Sequence, residues 1–68
     1  MNIDIRKSIK NNFKDSNEEE IISAINESLQ DNNELALPGL GVFFELLWKN
    51  SERDFQKQII KIVKRSLN

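Results

Sequence analysis

Apolar residues recur along this chain at helical rather than strand spacing. Ile5, Ile9 and Phe13 fall every fourth residue, which puts them on one side of a helix with Arg6, Lys10 and Lys14 as a neighbouring polar stripe. Asn2 or Asp4 is placed to cap its start. Asp15-Ser16-Asn17 breaks the pattern, and Ser16 followed by Glu19 has the spacing of a capping box, in which each side chain satisfies the other residue's free amide. Ile21, Ile22, Ile25 and Leu29 then form the stripe of a second helix. Its first turn carries Glu18, Glu19 and Glu20, at the end where the helix dipole favours negative charge.

Gln30-Asp31-Asn32-Asn33-Glu34 has no apolar residue and three turn formers, so the second helix is expected to stop near Asp31, with a loop running through Leu35-Ala36-Leu37 to Pro38-Gly39. Proline is tolerated in the first turn of a helix, and Leu40, Phe43, Phe44, Leu47 and Trp48 follow at i, i+3, i+4, i+7 and i+8. Val42 and Leu46 widen that stripe until only Glu45 and Lys49, themselves four apart, need face water. A helix apolar almost all round must be central. Asn50-Ser51 ends it, and Ser51 is placed to cap a fourth helix with Phe55, Ile59, Ile62, Val63 and Leu67 inward. The run from Phe43 to Trp48 also has the length of a buried strand, but its helical spacing and its lack of β-branched residues beyond Val42 favour helix. The expectation is an all-α fold, a single small domain over 1–68. Its four short helices are placed at about 3–14, 17–31, 39–49 and 52–67, packed around the third, which is the most buried.

Composition narrows the chemistry. In 68 residues there is one core or none, and 38% apolar with 31% charged residues sits in the range of chains that fold. Cysteine and histidine are both missing, which removes disulfides, thiolate nucleophiles, imidazole bases and the usual zinc ligand sets. The longest apolar stretch, Val42 to Trp48, is interrupted by Glu45 and far shorter than the roughly 20 residues needed to cross a bilayer. Met1 to Lys10 has charges but no apolar core like a signal peptide's, so the expectation is a soluble protein that stays in the cytoplasm.

The net charge of −1 conceals a sorting along the chain. Residues 1–14 carry Arg6, Lys7, Lys10 and Lys14 against Asp4 alone. Residues 15–34 carry Asp15, Glu18, Glu19, Glu20, Glu27, Asp31 and Glu34 with no basic residue. Residues 51–68 return to positive, with Arg53, Lys57, Lys61, Lys64 and Arg65 against Glu52 and Asp54. Two basic ends flank an acidic middle.

The run Leu37-Pro38-Gly39-Leu40-Gly41-Val42-Phe43-Phe44-Glu45-Leu46-Leu47-Trp48 resembles the signature of the small acid-soluble spore protein I family: L-P-G-L-G-V, an apolar residue, F-E, two apolar residues and W. The signature residues by position are Leu37, Pro38, Gly39, Leu40, Gly41, Val42, Phe44, Glu45 and Trp48. The likeness extends more loosely over almost the whole chain, through an Ile5-Arg6 start, an acidic second helix and a charged closing helix. It implies a non-enzymatic minor spore protein made during sporulation in the forespore of a Bacillus- or Clostridium-like organism, resident in the spore core and structural or interactive in role. The closing helix, ending Lys64-Arg65-Ser66-Leu67-Asn68, is more positive than the family pattern. A second likeness is to bacterial HU-like nucleoid proteins, in which an L-P-G-x-G-x-F turn joins two strands. Here Phe44-Glu45-Leu46-Leu47-Trp48 follows, with no room for their basic arms.

Each candidate chemistry has a structural competitor. Pro38, Gly39 and Gly41 could cradle an anion at a helix start, but no Lys lies within the motif, and a tight turn approaching the core explains the glycines as well. Trp48 with Phe43, Phe44 and Phe55 could stack on nucleobases, yet these aromatics share a stripe with leucines, which fits packing or a dimer interface. Arg6, Lys10 and Lys14, and above all Arg53, Lys57, Lys61 and Lys64, are the candidate nucleic-acid contacts, opposed by the acidic second helix and a pI near 5.3. Glu18, Glu19 and Glu20 splay around a helix end rather than converging, so no catalytic residue is assigned. No cofactor, metal, membrane or small-molecule substrate is called for. The expected partner is a second copy, through a two-fold contact using part of the Phe43 to Trp48 surface, with the acidic helix of one chain near a basic end of the other.

Overall fold

A computed structural model of the chain describes residues 4–30 and 34–68. Four helices follow in order: α1, Ile5–Phe13; α2, Glu18–Gln30; α3, Leu37–Lys49; and α4, Arg53–Ser66, with a 3₁₀ turn at Glu34–Ala36 leading into α3. The described residues contain no strand, so the strand reading of Phe43 to Trp48 and the HU-like hairpin both fall away. Asn2 as a cap, and the stop near Asp31 with its Asn32-Asn33 turn, lie outside the described residues.

Local chemistry explains most boundaries. Asp4 Oδ1 accepts from the Lys7 amide at 2.9 Å and caps α1, while Lys10 sits in its last turn where the dipole favours a cation. The capping box of α2 lies one residue later than the Ser16/Glu19 pair. The Glu20 amide donates to Asn17 Oδ1 at 2.8 Å, and the Asn17 amide donates to Glu20 Oε1 at 3.3 Å. Asn caps as well as Ser, so the choice falls to the residue whose backbone stands at the junction. The segment from Leu35 to Gly39 is not a loop: a 3₁₀ turn passes directly into α3, with Pro38 in its first turn and both glycines inside the helix.

The joint between α3 and α4 is closed by side chains. Asn50 donates its backbone N–H and, at 2.7 Å, its Nδ2 to the Leu46 carbonyl; the Ser51 hydroxyl donates to Leu47 O; and Gln56 Nε2 donates to Trp48 O at 2.8 Å. Carbonyls at a helix end have no partner within the helix, and these three are all satisfied. Ser51 therefore serves the end of α3. The N-cap of α4 is Glu52, with no side-chain cap bond, which corrects the assignment of Ser51 to that role.

The core is thin. Val42, 8% exposed, is the only described residue that is buried, which makes α3 the most buried helix, as its pattern predicts. One such side chain contributes only about 1.5–3 kcal/mol. Ile9, Phe13, Ile21, Ile25, Phe43, Leu46 and Ile59 are half-buried. The face of α4 expected to point inward does so only at Ile59; Phe55, Ile62, Val63 and Leu67 are exposed, Ile62 at 54% and Leu67 at 81%. Every residue from Ile60 to Asn68 is exposed. The short connection and the Gln56 bond hold the start of α4 against α3, and its second half extends past the rest of the chain's packing.

Candidate functional site

The signature residues occupy one helix, α3, and divide between two of its sides. Gly39 and Phe43 face α1. Ile9 Cδ1 lies 3.4 Å from where a Cβ on Gly39 would stand, and the Phe13 and Phe43 rings meet edge to face with centroids 5.3 Å apart. Gly39 thus permits close approach of α1, as a small residue at a packing contact does. Gly41 does not: a Cβ there would meet nothing within 4 Å. Leu37, Phe44 and Leu47 lie on the other side and are exposed, Phe44 at 45%.

Charge fixes the same crossing. Glu45 is the sole carboxylate of α3. Arg6 donates to it twice, from Nε to Oε2 at 2.6 Å and from Nη2 to Oε1 at 2.9 Å, and Lys49 adds a contact at 3.4 Å from one turn away. The Arg6 hydrogen bond is the main reason the Glu45 carboxyl is pushed down to about 2; partial burial works against it, and Lys49 assists. The same contact raises Arg6 above its ordinary value. Neither partner is available for proton transfer at neutral pH, and no group of three or more acidic side chains among the described residues is arranged to hold a metal ion.

The remaining surface is an apolar groove with a cationic wall. Phe44 and Trp48 stack with centroids 5.7 Å apart and planes 25° from parallel, and with Ile60 they line a shallow groove between α3 and α4. An adjoining cleft is lined by Trp48, Gln56 and Ile60 together with Arg53, Lys57 and Lys61. Three of the four candidate cations of α4 are thereby brought beside the indole; Lys64, a turn further on, is exposed beyond it. Arg6 stands apart from them, bound to Glu45. The groove was not foreseen, because its walls come from helices whose mutual tilt no periodicity specifies. The one signal for the ion pair was a lone acid in an otherwise apolar helix.

No described helix is long and apolar enough to cross a membrane. Residues 3–67 match the family model described as small, acid-soluble spore protein I. The chain is 37% identical over 67 residues to the small, acid-soluble spore protein I of Halalkalibacterium halodurans, covering 98% of each chain. It is 29% identical over 68 residues to that of Shouchella clausii, covering 100% of this chain and 99% of the relative. It is 28% identical over 67 residues to that of Bacillus cytotoxicus, covering 98% and 96%. No solved structure matches.

Proposed function

The chain belongs to the small acid-soluble spore protein I family, and from that premise we propose that it is a non-enzymatic protein of the forespore and spore core that acts by contact with another macromolecule. The observation that carries the contact role is the apolar surface formed by exposed Phe44 and half-buried Trp48 on α3 together with exposed Ile60, Ile62 and Val63 on α4. Exposed apolar surface of this extent on a small folded chain marks an interaction site. The committed state of Glu45, held by Arg6 and Lys49, supports a role without acid–base chemistry. Immunodetection in growing cells, mother cells and purified dormant spores tests the assignment. Signal confined to the forespore and to the core fraction is expected; equal abundance in growing cells with none in spores overturns it.

A second reading rests on the cleft that sets Arg53, Lys57 and Lys61 around Trp48, since an indole among cations is the chemistry of single-strand binders. Retardation of single-stranded or duplex DNA at low salt, lost steeply as salt rises, would establish it.

A further inference from the structure

A folded chain of this mass ordinarily exposes about 4,400 Å². This one exposes 6184 Å² at 7.9 kDa. Its radius of gyration is 13.3 Å, where about 11 Å is usual for its length. The surplus surface exceeds the ~800 Å² that each partner buries in a standard protein interface. Among the exposed apolar side chains are Phe55, Ile60, Ile62 and Val63 on α4 and Leu67 at its C-cap, and on α2 Ile22 and Leu29, seven residues and therefore about two turns apart.

The two uncovered seams carry opposite charge. Beside the α2 seam stand Glu18, Glu19, Glu20 and Glu27, and α2 has no basic residue. Beside the α4 seam stand Arg53, Lys57, Lys61, Lys64 and Arg65, with only Asp54 opposing them. Within one chain these sets do not meet: the ion pairs among the described residues are Arg6–Glu45 and Lys49–Glu45. The helices also match in length, 13 residues for α2 and 14 for α4, each about 20 Å.

We propose that the chain pairs with a second copy of itself through a two-fold contact in which α4 of each copy lies antiparallel along α2 of the other. The antiparallel sense brings the Glu18–Glu20 end of α2 to the Lys61–Arg65 end of α4 and sets the helix dipoles in opposition. In that register Ile22 stands opposite Ile62 on the projecting half of α4 and Leu29 opposite Phe55 at its start, and the groove lined by Phe44, Trp48 and Ile60 continues the buried surface onto α3. A two-fold axis makes this contact twice, which closes the assembly at two copies. An anionic membrane would also take a basic amphipathic helix, but a net charge of −1 and the acidic α2 oppose it, whereas a second copy supplies both halves of the charge match. The pairing follows from the surface of the folded chain and stands or falls apart from residence in the spore.

Sedimentation equilibrium of the full chain across the micromolar range tests it, with two charge-reversed variants. Lys61→Glu with Lys64→Glu turns the end of α4 that faces Glu18–Glu20 acidic; Glu18→Lys with Glu19→Lys turns the end of α2 that faces Lys61–Arg65 basic. The wild type is expected at twice the chain mass, and each variant alone is expected to dissociate about tenfold or more readily, since like charges then face each other. An equimolar mixture of the two variants is expected to recover the dimer, which also shows that both have folded; helical circular dichroism of each alone is the control. A wild type that stays monomeric, or a dimer indifferent to both reversals, overturns the proposal. Monomers that bind phosphatidylglycerol vesicles but not each other overturn it in favour of a lipid surface.

Discussion

Arg6 on α1 and Glu45 on α3, 39 positions apart in the chain, form the only ion pair between helices among the described residues, closed by two hydrogen bonds of 2.6 and 2.9 Å. The planar guanidinium fork matches the carboxylate in a way a lysine does not. It therefore orients α1 across α3, in addition to the contacts of Ile9 and Phe13.

That pair makes part of the stability depend on pH. The folded Glu45 carboxyl is lowered to about 2, so its contribution is fully present above the unfolded value of roughly 4.3 and is lost as pH falls through the folded one. Urea unfolding at several pH values should show the wild type more stable than Glu45→Gln at pH 7, with the gap closing between about pH 4 and pH 2. A gap unchanged over that window would mean that the pair contributes nothing.

The two glycines of α3 should behave differently when replaced. At Gly41 an added methyl meets open space inside a helix, so Gly41→Ala is expected to stabilise the fold by about 0.5–1 kcal/mol through helix propensity. For a domain of this size that is a rise in Tm of roughly 4–8 °C per kcal/mol. Gly39→Ala places its methyl 3.4 Å from Ile9 Cδ1, and the smaller gain or loss it gives depends on how far Ile9 yields. Thermal melts of both variants check the order.

Asn17 and Ser16 separate two versions of the start of α2. Loss of the capping box in Asn17→Ala is expected to cost about 1 kcal/mol. Ser16→Ala should be close to neutral, because the Ser16 hydroxyl takes no part in the cap. A larger loss at Ser16 in chemical unfolding would return the cap to the Ser16/Glu19 pair.

Gln56→Leu removes the donor to the Trp48 carbonyl and leaves the rest of α4 intact. The expected cost is about 1 kcal/mol, the net worth of one such bond. It should appear in hydrogen exchange as faster opening of α4 with little change in α1, since local opening reports the element that has lost its tether. Uniform acceleration in all four helices would show instead that α4 unfolds only with the whole.

The periodicity of Ile5, Ile9 and Phe13, and of Leu40 through Trp48, was enough to place helices, because each apolar stripe is written within a dozen consecutive residues. Caps were legible only to within a residue, since Ser16 and Asn17 satisfy the same chemistry, and Ser51 can serve the helix behind it as well as the one ahead. Coverage was not legible. Phe55, Ile62, Val63 and Leu67 have the spacing of an inward face, yet spacing specifies which side of a helix is apolar and not whether anything lies against it. The pairing of Arg6 with Glu45 and the groove beside Trp48 depend on interhelical angles, which arise from packing that no local pattern encodes.

Trp48 stands where α3 ends, stacked on Phe44, with its carbonyl taken by Gln56 and its ring beside Ile60. The chain has one tryptophan and no tyrosine. Excited at wavelengths too long for phenylalanine to absorb, its emission therefore comes from this single joint, so the native protein carries a built-in optical reporter of whether that groove is open to water or closed over.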